Sequence, residues 1–240
     1  MYQISTLKQT IGIPYYYNMT CETLGLDSAE HCLDKTHYNS YPDISYVFNE
    51  LGFRFDLATL TKRPILAVGD SFTLGLGVNV EQTWPSVLSR QLDLPVLNFS
   101  LNGASNDWIA RKTQALLEFF DPLAIVVHYT FSHRRECPNI DWHDDERTEC
   151  EPLYNAADNF KNWQKNFNTI SALSLPTIHS FIPNWHELPV DYIALSEHVV
   201  TPVDVVDLAR DGFHYGVETN QLLAQQISTS LLELVSHPSL

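Results

Sequence analysis

The sequence lacks the features that mark a membrane protein or an exported one. No apolar run approaches the ~20 residues that span a bilayer. Residues 1–5 carry neither the basic region nor the apolar stretch of a secretory signal. We therefore predict no membrane span and, by default, a cytoplasmic location.

Positive charge is also scarce. The 240 residues include 14 Lys and Arg against 29 Asp and Glu, which gives a formal net charge of -15 at pH 7. A protein with this surplus of negative charge repels the phosphate backbone of nucleic acids. We therefore predict no nucleic-acid partner.

Closely spaced cysteines are absent as well. Cys21, Cys32, Cys137 and Cys150 form no C-x-x-C pair, and none lies beside a histidine in a protease signature. In a reducing compartment they are expected to be free thiols. Under oxidising conditions, Cys137 and Cys150 could instead close a disulfide across the insertion that contains them.

The composition does provide enough apolar material for one packed domain. Hydrophobic residues make up 44% of the chain and charged residues 18%, which are ordinary values for a globular protein. Residues 1–60 are rich in Tyr, Asn and Asp, and we interpret them as an irregular lead-in packed on the main domain. Residues 61–240 are predicted to form that main domain, with an insertion at about 136–154.

From Arg63 onward, short apolar runs alternate with amphipathic stretches. The run 64–69 ends at a glycine and is typical of a buried parallel strand. Further strands are predicted over 95–98, 124–129, 177–181 and, from a weaker pattern, 199–206. Helical spacing of apolar residues predicts helices over 83–92, 107–120, 159–173 and 221–235. This alternation predicts an α/β fold, a three-layer α/β/α sandwich around a parallel sheet of about five strands.

Polar residues follow the first predicted strand. Gly69-Asp70-Ser71 opens a helical segment, so a serine hydroxyl stands at a strand-to-helix turn beside backbone N–H groups. Such a turn can present the hydroxyl to a base that activates it as a nucleophile. Taken alone, the tripeptide is explained equally well as an ordinary turn with a helix cap.

A second polar group lies near the far end of the sequence. Asp211 stands three residues before His214, just ahead of the last helix. At this spacing the carboxylate can accept from one ring nitrogen while the other faces a nucleophile. The pattern is common, and a surface or capping histidine is the alternative. Combined with Ser71 in this order, it predicts a Ser-His-Asp catalytic triad.

These stretches resemble the sequence blocks of the SGNH hydrolases, also called GDSL esterases and lipases. Residues 67–75 look like the first block of that family, residues 98–105 are similar to the second, and Asp211 with His214 matches the last. The pattern extends over roughly residues 48–240, although only a few positions are specific.

The resemblance implies a flavodoxin-like SGNH hydrolase fold and a two-step acyl transfer. Ser71 would attack an ester carbonyl while His214 takes its proton and Asp211 orients the imidazole. The backbone N–H groups of Ser71 and Gly103 would form the oxyanion hole. Chemistry of this kind needs no metal or organic cofactor.

One family block departs from the pattern. The family has Gly-x-Asn-Asp after its third strand, with an asparagine that is a further oxyanion donor, whereas this chain reads Thr-Phe-Ser-His-Arg over 130–134. Loss of one such donor typically costs ~2.7–4 kcal/mol of transition-state stabilisation. Ser132, at the aligned position, and Asn106 are the candidate replacements, and His133 or Arg134 could also serve. The candidate substrate-binding residues are Asp70, Thr130, His133 and Arg134.

The hypothesis from the sequence is a serine ester hydrolase that removes small acyl groups from carbohydrate. Two alternatives stay open, an O-acyltransferase with the same triad and a non-catalytic binding or structural protein that keeps the fold. The expected partner is a small-molecule or carbohydrate ester. No metal is predicted, because the acidic stretch 141–146 lacks the spacing of a calcium loop. The sequence does not indicate whether the protein is a monomer or an oligomer.

Overall fold

A computed structural model describes residues 4–59, 63–136, 156–183 and 198–236. The helices are α1 (Ile4–Thr10), α2 (Lys35–Ser40), α3 (Ser71–Leu74), α4 (Trp84–Leu92), α5 (Asn106–Leu117), α6 (Ala156–Ser171) and α7 (Val217–Ser236). The strands are β1 (Thr20–Cys21), β2 (Tyr46–Val47), β3 (Ile65–Gly69), β4 (Val96–Ser100), β5 (Ala124–Tyr129) and β6 (Thr177–Phe181). Beyond Glu136, the predicted insertion lies outside the described residues, and so do Cys137 and Cys150.

The central sheet has four strands in the order β4-β3-β5-β6, all parallel. Ile65 of β3 stands opposite Val96 on one side and Ala124 on the other. Every residue of the four strands is buried. This burial is why β3 and most of β5 read as continuous apolar runs rather than as alternating patterns, whereas β4 and β6 also bury polar side chains such as Asn98 and His179.

Helices cover both faces of this sheet. The chain moves outward from β3 to β4 and then returns past β3 to β5 and β6, so right-handed crossovers place α4 on one face and α5 with α6 on the other. In agreement, α4 packs against α7, and α5 packs against α6. The predicted three-layer α/β/α sandwich is confirmed, and β3 lies in its interior with strands on both sides.

The strand predicted over 199–206 is reduced to a single parallel bridge between His179 and Val199. The N–H of Val200 still donates to the His179 carbonyl at 2.8 Å. The next positions leave the sheet, since Pro202 has no N–H to offer and Val205 and Val206 are exposed. Within the described residues, the sheet therefore has four full strands and the beginning of a fifth.

The segment before the main domain is more ordered than its composition indicates. β1 and β2 pair as an antiparallel ribbon, and α1 and α2 flank it. Its buried side chains belong to the same hydrophobic core as the central sheet, namely Leu7, Ile11, Ile13, Tyr16, Ile44, Tyr46, Phe48, Leu51 and Phe53. The prediction of an irregular segment is corrected in this respect, whereas a boundary near residue 60 stays a prediction.

No helix within the described ranges combines the length and the apolar character that crossing a bilayer requires. The longest, α7, has 20 residues and is amphipathic, with its buried apolar residues at Leu223, Ala224, Ile227 and Leu231. These residues are one, three and four positions apart and therefore form one apolar face of the helix, which packs against the core.

Two buried histidines occupy neighbouring strands. The ring of His128 in β5 lies 3.0 Å from Ser180 Oγ and 3.3 Å from Tyr215 Oη. His179 in β6 lies 3.0 Å from Tyr129 Oη. Burial lowers the pKa of both imidazoles to about 4, because a charged ring in this core has lost its hydration.

We predict that acid weakens the fold through these histidines. An unfolded histidine binds a proton near pH 6.5, whereas the folded rings resist it down to about pH 4. Between these values the unfolded state holds more protons, so the free energy of unfolding falls by up to ~1.4 kcal/mol per pH unit for each histidine. Urea denaturation at a series of pH values measures the slope.

The matched comparison uses two glutamine variants. His128→Gln is expected to lower the pH slope between pH 4 and 6.5, because one of the two groups no longer titrates. His31→Gln changes an exposed histidine of the N-terminal segment and is expected to leave the slope as in the unmodified protein. An equal slope in all three proteins would show that burial of His128 does not couple folding to protons.

Candidate active site

The turn that follows β3 holds Ser71 at the carboxyl edge of the sheet. Asp70 caps α3 by accepting the N–H of Phe72 at 3.0 Å. Ser71 is the first residue of that helix, so its own N–H has no partner within the helix. A Cβ at Gly69 would come within 2.1 Å of Thr73 Oγ1. Thr73 can therefore pack this closely against the end of β3 only because residue 69 is a glycine.

Ser71, His214 and Asp211 are joined by hydrogen bonds. The Nε2 atom of His214 lies 2.8 Å from Ser71 Oγ, and its Nδ1 lies 2.5 Å from Asp211 Oδ2. A carboxylate only accepts, so Nδ1 carries the proton and Nε2 is left to accept from the serine hydroxyl. This is the arrangement that a base-activated serine requires.

The carboxylate of Asp211 is fixed by its own turn. Its Oδ1 accepts the backbone N–H groups of Phe213 and His214, each at 3.0 Å. Burial alone would raise the pKa of Asp211, but the hydrogen bonds and the charge of His214 outweigh it and lower the pKa below its ordinary value. The carboxylate is therefore ionised at neutral pH.

Aromatic rings enclose the imidazole. The ring centroids of Phe72 and Phe213 lie 4.5 Å and 5.1 Å from that of His214. Ser71 and His214 each retain only 2% of their accessible surface, and Asp211 retains 7%. The hydroxyl and the imidazole are consequently buried beside aromatic rings.

Gly103 lies in the turn that follows β4. Because Gly69 pairs with Ser100 across the two strands, the turn after β4 begins beside the turn that carries Ser71. The N–H of Leu101 donates to the Gly69 carbonyl at 3.2 Å. The topology thus brings the two predicted oxyanion donors, the N–H groups of Ser71 and Gly103, to neighbouring turns. Their role in catalysis stays a prediction.

Asn106 does not have the free amide that an oxyanion donor needs. Its Nδ2 donates to the carbonyls of Thr130 at 3.2 Å and Phe131 at 3.1 Å, and its Oδ1 accepts the Thr130 N–H at 3.1 Å. These bonds use both amide hydrogens. The geometry assigns Asn106 to holding α5 against the end of β5, so it favours Ser132 over Asn106 as a replacement donor.

Asp70, Thr130 and Arg134 bond to one another. Asp70 Oδ2 accepts from Thr130 Oγ1 at 2.5 Å and from Arg134 Nη1 at 2.9 Å. Nη1 also donates to Thr130 Oγ1 at 3.0 Å, and the guanidinium stacks over Phe131. Since Asp70 Oδ2, Thr130 Oγ1 and Arg134 Nη1 are already hydrogen-bonded to one another, the geometry favours a role in shaping the site over the predicted contacts with substrate.

Ser132 and His133 follow Phe131 in the turn after β5, and both are half-buried. The ring of His133 stacks on that of Phe131, with centroids 5.4 Å apart. This turn therefore contributes polar groups beside the carboxyl end of the sheet, where the family pattern has its asparagine. A catalytic or substrate-binding role for either residue stays a prediction.

The sequence patterns did not indicate Arg210, which directly precedes Asp211. Its side chain forms a buried ion pair with Asp27, a residue of the N-terminal segment. An arginine beside the proposed catalytic aspartate in an acidic chain was the only signal available, and nothing in the sequence selected its partner. Among the described residues, no three His, Cys, Asp or Glu side chains group as a metal site would require.

Comparison with known proteins supports the fold assignment. No family model matches the chain, and no curated protein matches it. Solved structures do match, including a carbohydrate esterase family 2 enzyme with a carbohydrate-binding domain from Corynascus thermopiles (Myceliophthora fergusii). This match has 12% identity, a TM-score of 0.50, and covers 80% of this chain and 71% of that chain.

Two further structures extend the comparison. TesA has 19% identity and a TM-score of 0.50, with 72% of this chain and 99% of that chain covered. The psychrotrophic esterase EstA from Pseudoalteromonas sp. has 15% identity and a TM-score of 0.49, with 73% and 100% covered. The fold that this chain shares with the family 2 enzyme and with TesA, each at a TM-score of 0.50, is the SGNH hydrolase fold that the sequence blocks predicted.

We predict that Asn106→Ala destabilises the site without removing its chemistry. The exchange leaves buried backbone groups of Thr130 and Phe131 without partners, which costs about 1–3 kcal/mol for each unsatisfied group. Chemical denaturation measures the loss. The exposed Asn168→Ala exchange in α6 is the control, with little expected change in stability. A loss of activity with unchanged stability would instead support Asn106 as an oxyanion donor.

Proposed function

We propose that the protein is a serine ester hydrolase that acts through an acyl-enzyme on Ser71. The observation that carries the proposal is the pair of hydrogen bonds of His214, to Asp211 at 2.5 Å and to Ser71 at 2.8 Å. A buried histidine held between a carboxylate and a serine hydroxyl has the geometry of a general base. The SGNH hydrolase fold, shared with known esterases, raises the expectation of this chemistry.

In the proposed reaction, Nε2 of His214 takes the proton from Ser71 Oγ as that oxygen attacks the ester carbonyl. Asp211 stabilises the imidazolium that forms. The N–H groups of Ser71 and Gly103 receive the oxyanion. The alcohol leaves with the proton from Nε2, and water attacks the acyl-enzyme by the same route to release the acid and restore Ser71.

Two observations support small acyl groups on a carbohydrate as the substrate class. Ser71 keeps only 2% of its surface exposed, and the rings of Phe72 and Phe213 stand close to His214, so a compact acyl group fits this environment better than a long chain. The Corynascus enzyme of the same fold is a carbohydrate esterase. The substrate therefore pairs a short acid with a polar alcohol.

Labelling with a fluorophosphonate tests the nucleophile. We expect the unmodified protein to react at Ser71, because the His214 base activates that hydroxyl. Ser71→Ala removes the reacting atom and His214→Ala removes the base, so both are expected to lose labelling. In-gel fluorescence and mass spectrometry of the labelled peptide provide the measurement.

Ser89→Ala is the matched serine control, since Ser89 lies in α4 and its hydroxyl donates to the Leu94 carbonyl, with no histidine base beside it among the described contacts. It is expected to label normally. Persistent labelling of Ser71→Ala would exclude Ser71 as the nucleophile. A folded but unlabelled parent protein would favour the non-catalytic alternative. Product analysis with and without an acceptor alcohol then separates hydrolysis from acyl transfer.

Asp211→Asn is expected to keep the fold and lose most of the rate. An asparagine amide facing Nδ1 favours the wrong imidazole tautomer, and such an exchange costs about 10⁴-fold in kcat. Hydrolysis of p-nitrophenyl acetate measures it. The exposed Asp204→Asn exchange is the control and should retain full activity. A rate within a few fold of the unmodified protein would contradict the assignment of Asp211.

A further inference from the structure

The N-terminal segment bonds to the loop that carries Asp211 and His214. Tyr41 donates its hydroxyl to the Leu208 carbonyl, and His37 Nε2 donates to the Ala209 carbonyl at 2.8 Å. The Sγ atom of Cys32 lies 3.6 Å from the Asp211 carbonyl oxygen. Successive carbonyls of this loop therefore face side chains that come from residues 32–41.

Next to these contacts, a closed ring of hydrogen bonds joins four residues, Asp27, Tyr46, Gly77 and Arg210. Arg210 donates from Nε to Asp27 Oδ1 at 2.8 Å and from Nη2 to Oδ2 at 2.6 Å. The Tyr46 hydroxyl donates to Asp27 Oδ2 at 2.5 Å and accepts the Gly77 N–H at 2.8 Å. The Gly77 carbonyl accepts the backbone N–H of Arg210 at 3.0 Å, which closes the ring.

The ring links the two halves of the proposed triad. Gly77 lies three residues beyond α3, whose first residue is Ser71, and Arg210 directly precedes Asp211. A Cβ at Gly77 would come within 2.6 Å of Ala209 Cβ and 2.9 Å of the Arg210 nitrogen. The two stretches of chain touch here, and Asp27 and Tyr46 of the N-terminal segment hold them together.

The side chains of this ring are buried. Asp27 has no accessible surface, and Arg210 retains 6%. Burial alone would lower the pKa of Arg210, but the hydrogen bonds and charge of Asp27 outweigh it and raise the pKa. Burial and the charge of Asp27 raise the pKa of Tyr46, so its hydroxyl keeps its proton and donates. Each hydrogen bond in the ring consequently has one direction.

We propose that Asp27 and Arg210 form a positioning pair for the triad, which makes the N-terminal segment part of the catalytic unit. The inference rests on the proposed function of Ser71, Asp211 and His214. Its physical basis is that a shift of about 1 Å remote from the reacting atoms can cost about 100-fold in rate. The bidentate pair anchors the residue next to Asp211 against such a shift.

A purely structural pair would act differently, and paired substitutions separate the two roles. Removing one partner leaves the other charge buried and unpaired, which strongly destabilises a protein, whereas replacing both by apolar residues restores much of the stability. The set is Asp27→Leu, Arg210→Met and the double variant in the full chain. Melting temperature, KM and kcat per active site are measured, with active sites counted by fluorophosphonate titration.

We expect both single variants to melt at lower temperature and to lose about 10- to 100-fold in kcat per titrated site, with KM little changed. The double variant is expected to regain melting temperature but not kcat, because the anchor beside Asp211 is still missing. Recovery of kcat together with stability, or unchanged kcat per site in the single variants, would overturn the proposal.

Lys112→Met is the matched control. Lys112 is buried in α5 and donates to the Ile11 carbonyl at 3.1 Å, so it also attaches the N-terminal segment, but away from Asp211. We expect a lower melting temperature with unchanged kcat per site. A loss of kcat as large as that of Asp27→Leu would show that any loosening of the segment suffices. If the unmodified protein shows no labelling dependent on Ser71, the proposed function itself fails before this comparison begins.

Discussion

The hydrogen bond between Ser71 Oγ and His214 Nε2 joins parts of the chain that are 143 residues apart. It forms because β3 occupies the interior of a parallel sheet and delivers Ser71 to the carboxyl edge, where the chain arrives once more just before α7. Ligands of such sheets bind at this edge because neighbouring turns leave backbone and side-chain polar groups there. The position of β3 in the sheet is thus what brings Ser71 within reach of His214.

The polar groups buried around this hydrogen bond bond to one another in two separate clusters. On one side, Asp70, Thr130 and Arg134 connect the turn after β3 with the turn after β5. On the other side, Asp27 and Arg210 connect the N-terminal segment with the loop of Asp211. Unpaired charges at these depths would be costly, so both clusters restrict how far the three turns can move relative to each other.

The periodicity of the sequence predicted most of the central sheet because its strands depend on local apolar runs. The bounds predicted for β5 and β6 agree with the structure, and β3 differs by one residue at its start. α7 begins at Val217, four residues before its predicted start, because Asp207 accepts the N–H groups of Glu218 and Thr219 and caps a polar first turn. Asp207 lies ten residues before the start of α7. The spacing of apolar residues in the helix therefore does not indicate where this cap places its first turn.

Patterns failed where long-range contacts decide the structure. The segment before β3 was expected to pack on the main domain but to be irregular, because its residues follow no single period. It instead forms α1, α2, β1 and β2, and its buried residues belong to the core of the sheet. Asn106 and Arg134 were considered for contacts with substrate or an oxyanion because their residue types allow it. Their distances to Thr130 and Asp70 assign them to the framework, and no spacing in the sequence indicates which polar group is already used.

By itself, the sequence determined the alternation of strands and helices, the Gly-Asp-Ser turn and the Asp-x-x-His spacing, since each depends on residues that are neighbours along the chain. Tertiary structure alone decided that His214 reaches Ser71, that Asn106 has no free amide, and that Asp27 pairs with Arg210 across 183 positions. The physical reason is that hydrogen bonds and ion pairs depend on distance in space, and only the packing of the sheet converts distant positions into contacts.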